Sequence, residues 1–317
     1  MIRKLPAHLL SIKSLTRDHV ETILQRADYF LNSTVKNNTI FDILNGKIVA
    51  TLFFETSTRT RNSFEIAAKR LGAIVQSVDL KISALNKGET TLDTVKNLQA
   101  MGTNFFIIRH FENDKPAWLA EHLSSGVVIN AGDGNHQHPT QGLIDLMTIK
   151  QHKPCWNELC VTIIGDIYHS RVANSLIDGL LTMKTSEIRL AAPPQLLPET
   201  IHDHNIQIFH KLDSSLIDAD VIIALRWQKE RHSNLIELTA FRQMFCLTHE
   251  KLALAKPDVI VMHPGPINRE VEITSEVADG KHSVILQQTY NSVAIRMAVL
   301  DLFSSSDFEY RSKEHLE

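Results

Sequence analysis

Five residues suited to anion binding follow, after two intervening residues, an apolar run at 48–54 that is typical of a buried strand: Ser57, Thr58, Arg59, Thr60 and Arg61. Hydroxyl residues cap helices well, and the free N–H groups and dipole of a helix N-terminus attract anions. Arginine adds a planar fork of donors that matches phosphate or carboxylate. The run therefore predicts an anion site, and we expect one of its arginines to form a structural ion pair with Glu65 or Asp79.

Two further segments carry polar residues where a strand ends or a helix begins, and the one with the histidine suits a polarised carbonyl group. Arg109 directly follows the apolar run 105–108, and His138-Pro139-Thr140-Gln141 has the proline that is common at the start of a helix. A neutral histidine and a glutamine placed there can donate to a carbonyl oxygen or accept from an amide N–H. Histidine is often an ordinary polar residue without a functional role, and this chain has 16. The segment therefore indicates a site only in combination with its neighbours.

In the second half of the chain, arginines follow two strand-like runs. Arg171 lies beyond residues 161–164 and Arg226 directly follows residues 221–225, so one guanidinium is available for each carboxylate of a dicarboxylate. His263-Pro264-Gly265-Pro266 follows residues 259–262, and its rigid carbonyls can face a substrate amide. The Gly265–Pro266 bond is a candidate cis peptide. The alternative interpretation of either arginine is an ordinary surface charge, and that of residues 263–266 is a tight loop.

The elements that must position these residues are predicted from hydrophobic periodicity. Amphipathic stretches alternate with strand-like runs, which is typical of α/β units, so we expect two doubly wound parallel-sheet domains. Ligands of such sheets bind beyond the carboxyl ends of the strands, where the residues above lie. A boundary between two α/β halves is expected near residues 135–155, and periodicity alone leaves open whether the last apolar helix, residues 292–303, packs on the first half. The strand-like runs are 48–54, 105–108, 127–129, 161–164, 188–190, 221–225 and 259–262.

Composition excludes several classes of function. Among 317 residues, 33 Lys and Arg face 36 Asp and Glu, so no global basic surface predicts nucleic-acid binding. No apolar run reaches the roughly 20 residues of a membrane helix, and the amino terminus lacks the pattern of a secretory signal, so we expect no membrane association and a cytoplasmic protein. Nucleotide-binding glycine motifs, zinc-protease motifs and the G-x-S-x-G elbow are absent.

Metal and disulfide chemistry are not expected either. Two histidine pairs lack clustered cysteine or carboxylate partners in the sequence: His136/His138 and His202/His204. Three cysteines lack C-x-x-C spacing and are expected to be reduced thiols: Cys155, Cys160 and Cys246.

Residues 53–61 together with His138-Pro139-Thr140-Gln141 closely resemble the transcarbamoylase family, which binds carbamoyl phosphate at an S-T-R-T-R loop. Three segments resemble its aspartate-specific catalytic chains: residues 83–90, 226–231 and 263–269. The H-P-C-Q and H-C-L-P patterns of the ornithine enzymes are absent. The resemblance covers almost the whole chain. It implies a carbamoyl phosphate-binding domain over residues 1–140 plus a carboxy-terminal helix at about 292–310, and an aspartate-binding domain over residues 141–291. Glu270 departs from it, because many bacterial relatives carry glycine there, and its effect on the adjoining loop is left open.

The resemblance implies transfer of a carbamoyl group from carbamoyl phosphate to L-aspartate, the committed step of de novo pyrimidine biosynthesis, without cofactor or metal. The implied catalytic residues are Thr58, Arg59, Lys87, Arg109 and His138. The implied carbamoyl phosphate-binding residues are Ser57, Thr58, Arg59, Thr60, Arg109, His138, Gln141, Pro264, Gly265 and Pro266. The implied aspartate-binding residues are Ser83, Lys87, Arg171, Arg226 and Gln228.

The resemblance also implies a homotrimer in which Ser83 and Lys87 reach the active site of the neighbouring subunit. It leaves open whether a regulatory or dihydroorotase-type chain joins the trimer. Two other functions stay open: transfer to another amine acceptor such as ornithine, and non-catalytic anion binding. Arg171 and Arg226 favour an acceptor with two carboxylates, and the complete set of polar site residues favours an enzyme.

Overall fold

Nine strands, all paired in parallel, form two sheets within the described part of the chain. The computed structural model describes residues 4–37, 39–78, 88–198, 203–228 and 237–304. As far as they are described, Met1–Thr140 and Ser292–Glu317 form one compact unit, and Gln141–Asn291 form the other. The predicted α/β class with two parallel sheets is confirmed.

The first unit contains a four-stranded sheet in the order β2-β1-β3-β4. Its strands are β1 (Ile48–Phe53), β2 (Ile74–Val78), β3 (Thr103–His110) and β4 (Val127–Asp133). Its helices are α1 (Arg17–Asn37), α2 (Thr58–Arg70), α3 (Thr91–Ala100) and α4 (Lys115–Glu121). Apolar side chains of β1, β3, β4, α3 and α4 form a buried core that includes Ala50, Leu52, Phe106, Val128 and Leu119.

The second unit contains a five-stranded sheet in the order β7-β6-β5-β8-β9. Its strands are β5 (Cys160–Ile164), β6 (Glu187–Ala191), β7 (Ile206–Phe209), β8 (Val221–Ala224) and β9 (Ile260–Met262). Its helices are α6 (Arg171–Thr182), α7 (Leu212–Leu216), α8 (Leu238–Phe245), α9 (His249–Leu252) and α10 (Ser275–Ala278). The boundaries of the two units fall inside α5 (Pro139–His152) and α11 (Ile285–Ser304).

Every one of the seven apolar runs contributes to a strand, because each of these strands lies largely within a buried core. The two strands that periodicity did not predict, β2 and β7, lie at the edges of their sheets. Their side chains are partly exposed, with Ile74 57% and Ile208 43% accessible, so neither strand reads as a continuous apolar run. Helix α11 begins at Ile285, earlier than the expected residue 292. Its first turns are rich in polar residues, so the apolar pattern did not reveal them.

No helix in the described ranges combines the length and the apolar character that crossing a bilayer requires. The three cysteines are free thiols, and burial raises the pKa of Cys160 to about 12.

Candidate active site

The predicted anion site lies at the N-terminus of α2, which begins at Thr58 shortly after β1 ends. Ser57 is the N-cap residue, but its hydroxyl makes no capping hydrogen bond. The N–H of Arg61 donates to the Ser57 carbonyl at 3.1 Å, and the helix offers no acceptor to the N–H groups before it. Thr60 is buried, whereas Thr58 and Arg59 are exposed. Backbone donors and hydroxyls therefore meet at a helix end that favours an anion.

Arg61 has the structural role that one arginine of this run was expected to have. Its Nε lies 3.2 Å from Glu65 Oε1, and its Nη2 donates to the Val78 carbonyl at 3.4 Å. The same Glu65 oxygen accepts the Ser77 hydroxyl at 2.6 Å. Asp79, the other expected partner, lies outside the described residues.

Arg109 lies at the carboxyl end of β3, in register with Phe53 of β1. Its Nη1 donates to the Ala131 carbonyl at 3.1 Å, and its Nε lies 3.3 Å from Glu55 Oε2. The N–H of Phe54 donates to the Arg109 carbonyl at 2.9 Å, which ties the segment before α2 to β3. The strand ends thus fix the arginine on the same sheet edge as the anion site.

A second arginine beside Arg109 was not predicted. Arg296, in α11, is 2% exposed; its guanidinium carbon lies 4.7 Å from the centroid of the Phe64 ring, and its Nη1 donates to the Ser292 carbonyl at 3.2 Å. Burial and the charge of Arg109 lower the pKa of Arg296 to about 9, so it is charged at neutral pH. It forms no ion pair with a carboxylate of the described residues. Its sequence signal is a lone arginine inside the apolar run 293–300.

His138 is buried directly before Pro139, the first residue of α5. Asp133 shapes the preceding loop: its Oδ1 accepts the N–H of Gln137 at 3.0 Å, and its Oδ2 accepts the N–H of Asp114 at 2.7 Å. The expectation that His136 lacks nearby carboxylates was wrong, because the loops after β3 and β4 place Asp114 and Asp133 at 3.0 and 3.3 Å from its Nδ1. His136, Asp114 and Asp133 offer possible metal-ligand atoms within 4.8 Å of one another. Both Asp133 oxygens, however, already accept hydrogen bonds from backbone N–H groups. His202 lies outside the described residues.

In the second unit, the predicted acceptor residues follow β5 and β8. Gly165 has a φ of +113°, and a Cβ there would lie 3.2 Å from the Leu225 carbonyl, so glycine lets the two strand ends approach. The Ser170 hydroxyl accepts the N–H of Ala173 and caps α6, whose first residue is Arg171. Gln228 Nε2 donates to the His169 carbonyl at 3.2 Å. The structure therefore joins the segment that carries Arg226 and Gln228 to the loop that precedes Arg171.

The loop after β9 contains the predicted cis peptide, which is confirmed at Gly265–Pro266. His263 Nδ1 accepts the N–H of Gly265 at 2.7 Å, so the proton is on Nε2, which donates to Glu272 Oε1 at 3.0 Å. The same Glu272 oxygen accepts the N–H of Asn268 at 2.6 Å, and Asn268 Nδ2 donates to the Trp227 carbonyl at 3.1 Å. Glu272, which sequence reasoning missed, is fully buried and connects this loop to the segment after β8.

Gln141 lies in the first turns of α5, where its Nε2 donates to Asp145 Oδ1 at 2.9 Å. Asp145 is fully buried and also accepts Gln288 Nε2 at 2.9 Å. Neither Asp145 nor Gln288 was predicted. The available signal was an acidic residue four positions after Gln141 within the otherwise apolar stretch 143–147.

Two predicted site residues, Ser83 and Lys87, lie outside the described residues. Glu270, the departure from the resemblance, has a φ of +64°, a left-handed conformation that favours glycine. Its Oε1 accepts the N–H of Ser275 at 2.8 Å, and hydrogen bonds from Ser275 lower the pKa of Glu270.

Comparison with known proteins identifies both halves of the chain. Residues 7–151 match the family description "Aspartate/ornithine carbamoyltransferase, carbamoyl-P binding domain", and residues 157–303 match "Aspartate/ornithine carbamoyltransferase, Asp/Orn binding domain". A similar curated protein is the aspartate carbamoyltransferase catalytic subunit of Coxiella burnetii (strain Dugway 5J108-111). It is 64% identical over 309 residues, which span 98% of this chain and 100% of the relative.

Two solved structures have similar folds. One is aspartate transcarbamoylase from Trypanosoma cruzi in complex with carbamoyl aspartate and phosphate, with a TM-score of 0.84, 29% identity, and coverage of 94% of this chain and 96% of that one. The other is ornithine carbamoyltransferase from Pyrococcus furiosus, with a TM-score of 0.82, 28% identity, and coverage of 93% and 96%. The chain belongs to the aspartate/ornithine carbamoyltransferase family.

Proposed function

We propose that this protein transfers the carbamoyl group of carbamoyl phosphate to the amine of L-aspartate, giving N-carbamoyl-L-aspartate and phosphate. The observation that carries the proposal is the anion site at the N-terminus of α2, which lies at the sheet edge that also holds Arg109. The Coxiella burnetii relative supports aspartate as the acceptor.

The proposed donor-site roles are those that the family resemblance implies, and the chemistry of each residue suits its role. Ser57, Thr58, Arg59, Thr60 and Arg109 hold the phosphate, and Thr58, Arg109 and His138 polarise the carbamoyl carbonyl. Gln141 and the carbonyls of Pro264 and Gly265 accept the N–H groups of the carbamoyl amide, and Pro266 helps to shape that loop. We assign the first unit to carbamoyl phosphate and the second to aspartate.

The acceptor-site roles rest on charge. Arg171 and Arg226 each bind one carboxylate of L-aspartate, and Gln228 adds a hydrogen bond. We assign Ser83 and Lys87 to the active site of a neighbouring subunit, so the catalytic unit is a homotrimer. Trimeric assembly, the cytoplasmic location and any regulatory or dihydroorotase-type partner remain predictions.

The reaction needs positioning rather than a side-chain nucleophile. The deprotonated amine attacks the carbamoyl carbon, a tetrahedral intermediate forms, and the C–O bond to phosphate breaks as the carbonyl re-forms. The amine proton leaves with the phosphate. The protein lowers the barrier by aligning the two substrates and by stabilising the developing oxyanion with Arg109, His138 and Thr58.

Product formation from carbamoyl phosphate tests this proposal, with L-aspartate, L-ornithine and no acceptor in parallel. Aspartate-dependent formation of N-carbamoyl-L-aspartate is expected. Carbamoylation of ornithine alone would move the protein to the other branch of the family, and no transfer to any amine by a folded trimer would favour a non-catalytic anion-binding protein.

A further inference from the structure

Asp145 is the centre of a buried hydrogen-bond network inside the second unit. Its Oδ1 accepts Gln141 Nε2 and Gln288 Nε2, both at 2.9 Å, and its side chain is fully buried. Its Oδ2 is buried and has no hydrogen-bond partner among the described residues. A buried carboxylate with an unsatisfied oxygen is costly, and an apolar residue at this position of α5 would avoid the cost.

The network determines which way the two glutamine amides face. Oδ1 of a carboxyl group accepts hydrogen bonds whether or not Oδ2 carries a proton, so the NH₂ group of each glutamine must face Asp145. Burial raises the pKa of Asp145 to about 7, while the hydrogen bonds from Gln288 and Gln141 lower it. The carbonyl oxygen Oε1 of Gln141 is thereby turned away from Asp145 and presented as an acceptor.

The second glutamine, Gln288, connects Asp145 by hydrogen bonds to the loop after β9. With its NH₂ group held by Asp145, Gln288 presents Oε1 to the N–H of His263, which donates to it at 2.9 Å. His263 in turn accepts the N–H of Gly265 at 2.7 Å. One carboxylate therefore orients both Gln141 and the segment whose Pro264 and Gly265 carbonyls are assigned to the substrate amide.

We infer that Asp145 is a positioning residue that makes the donor site select a carbamoyl group over an acyl group, because it presents only acceptors to the substrate NH₂. This inference rests on the proposed function. Acetyl phosphate is the informative comparison, since it has a methyl group where carbamoyl phosphate has the amide and keeps the phosphate and carbonyl. Loss of Asp145 lets the Gln141 amide rotate, which weakens binding of carbamoyl phosphate but not of acetyl phosphate.

Equilibrium binding of carbamoyl phosphate, acetyl phosphate and inorganic phosphate to the full chain tests this without an acceptor. In Asp145→Ala, carbamoyl phosphate is expected to bind about tenfold more weakly than in the wild type, with the other two ligands changed less than about twofold. Asp145→Asn keeps an acceptor oxygen and should restore most of the preference. Equal weakening of all three ligands, or an unchanged preference, would overturn the inference.

A double-mutant cycle separates positioning from general damage. Because Asp145 acts through both Gln141 and Gln288, Asp145→Ala should cause a smaller loss of preference in a Gln141→Met background than in the wild type, whereas a fully additive loss contradicts the inference. Should Asp145→Ala fail to fold, Asp145→Ser takes its place, since its shorter side chain cannot reach both amides. Wild-type protein that binds no carbamoyl phosphate would contradict the proposed function itself, whereas a wild-type preference that survives in Asp145→Ala contradicts only this inference.

Discussion

Arg109 and Glu55 form an ion pair at the carboxyl edge of the first sheet, with Arg109 Nε 3.3 Å from Glu55 Oε2. Glu55 lies two residues beyond β1 and Arg109 near the end of β3, and these strands are neighbours in the sheet. Both side chains are largely buried, and the guanidinium is also held by the Ala131 carbonyl. The arginine is thus fixed before any anion binds, which reduces the entropy cost of binding.

Arg109→Ala removes a fixed donor that we assign to the carbamoyl oxygen and phosphate. Loss of one oxyanion donor costs about 2.7–4 kcal/mol of transition-state stabilisation, so kcat should fall about 10²- to 10³-fold. Steady-state kinetics on a variant that is folded and trimeric measures the change in kcat. Arg17→Ala, which removes an exposed arginine paired with Glu21, is the matched control and should retain wild-type turnover. Unaltered turnover of Arg109→Ala would refute the role.

Arg226→Ala should weaken aspartate selectively. A hydrogen bond to a charged group contributes about 1.5–3 kcal/mol, so we expect KM for aspartate to rise at least tenfold, with KM for carbamoyl phosphate within about twofold. Arg189→Ala provides the comparison in the same unit, because Arg189 pairs with Glu187 in β6 and has a structural role. That variant should lose stability and keep its KM values. A parallel rise of both KM values in Arg226→Ala would contradict the assignment.

Arg296→Met tests the buried positive charge beside Arg109. Since Arg296 has no carboxylate partner among the residues that the structure describes, replacing its buried charge by an apolar side chain should leave the melting temperature unchanged or higher. The lost charge should weaken inhibition by inorganic phosphate by on the order of 1 kcal/mol, or about fivefold. Arg296→Lys keeps a charge and should retain more of the phosphate affinity. If phosphate inhibits Arg296→Met as strongly as the wild type, the charge does not act on the donor site.

Sequence patterns predicted the parts of the fold that depend on local order. Seven apolar runs predicted seven strands, but β2 and β7 escaped because edge strands with exposed residues such as Ile74 and Ile208 have weak periodicity. One arginine of the run 57–61 was expected to form an ion pair with Glu65 or Asp79, and Arg61 pairs with Glu65 four residues away.

The supporting residues of the candidate site were harder to predict, because their partners are distant in sequence. Asp145 and Gln288 are 143 positions apart, and Glu272 meets Trp227 across 45 positions. A single acidic residue in an apolar stretch, such as Asp145, indicates a buried carboxyl group, but only the folded chain shows which side chains that group orients.

The pH dependence of stability should report the burial of Asp145. Its pKa rises from 3.8 to about 7 on folding, so between about pH 4 and 7 the folded chain retains a proton that the unfolded chain releases. The folded state then binds more protons, and this group lowers stability as the pH rises through that window, by about 4 kcal/mol in total.

Asp145→Asn does not titrate at this position. Its free energy of unfolding relative to the wild type should therefore rise by several kcal/mol between pH 4 and about pH 8 and remain constant above, because the wild-type penalty is complete only once the pH exceeds the folded pKa. Urea unfolding of both proteins across this range measures the difference. Glu121→Gln, at an exposed position, is the control and should follow the wild-type curve closely. A difference between Asp145→Asn and the wild type that is flat from pH 4 to 7 would show that Asp145 keeps an ordinary pKa in the folded protein.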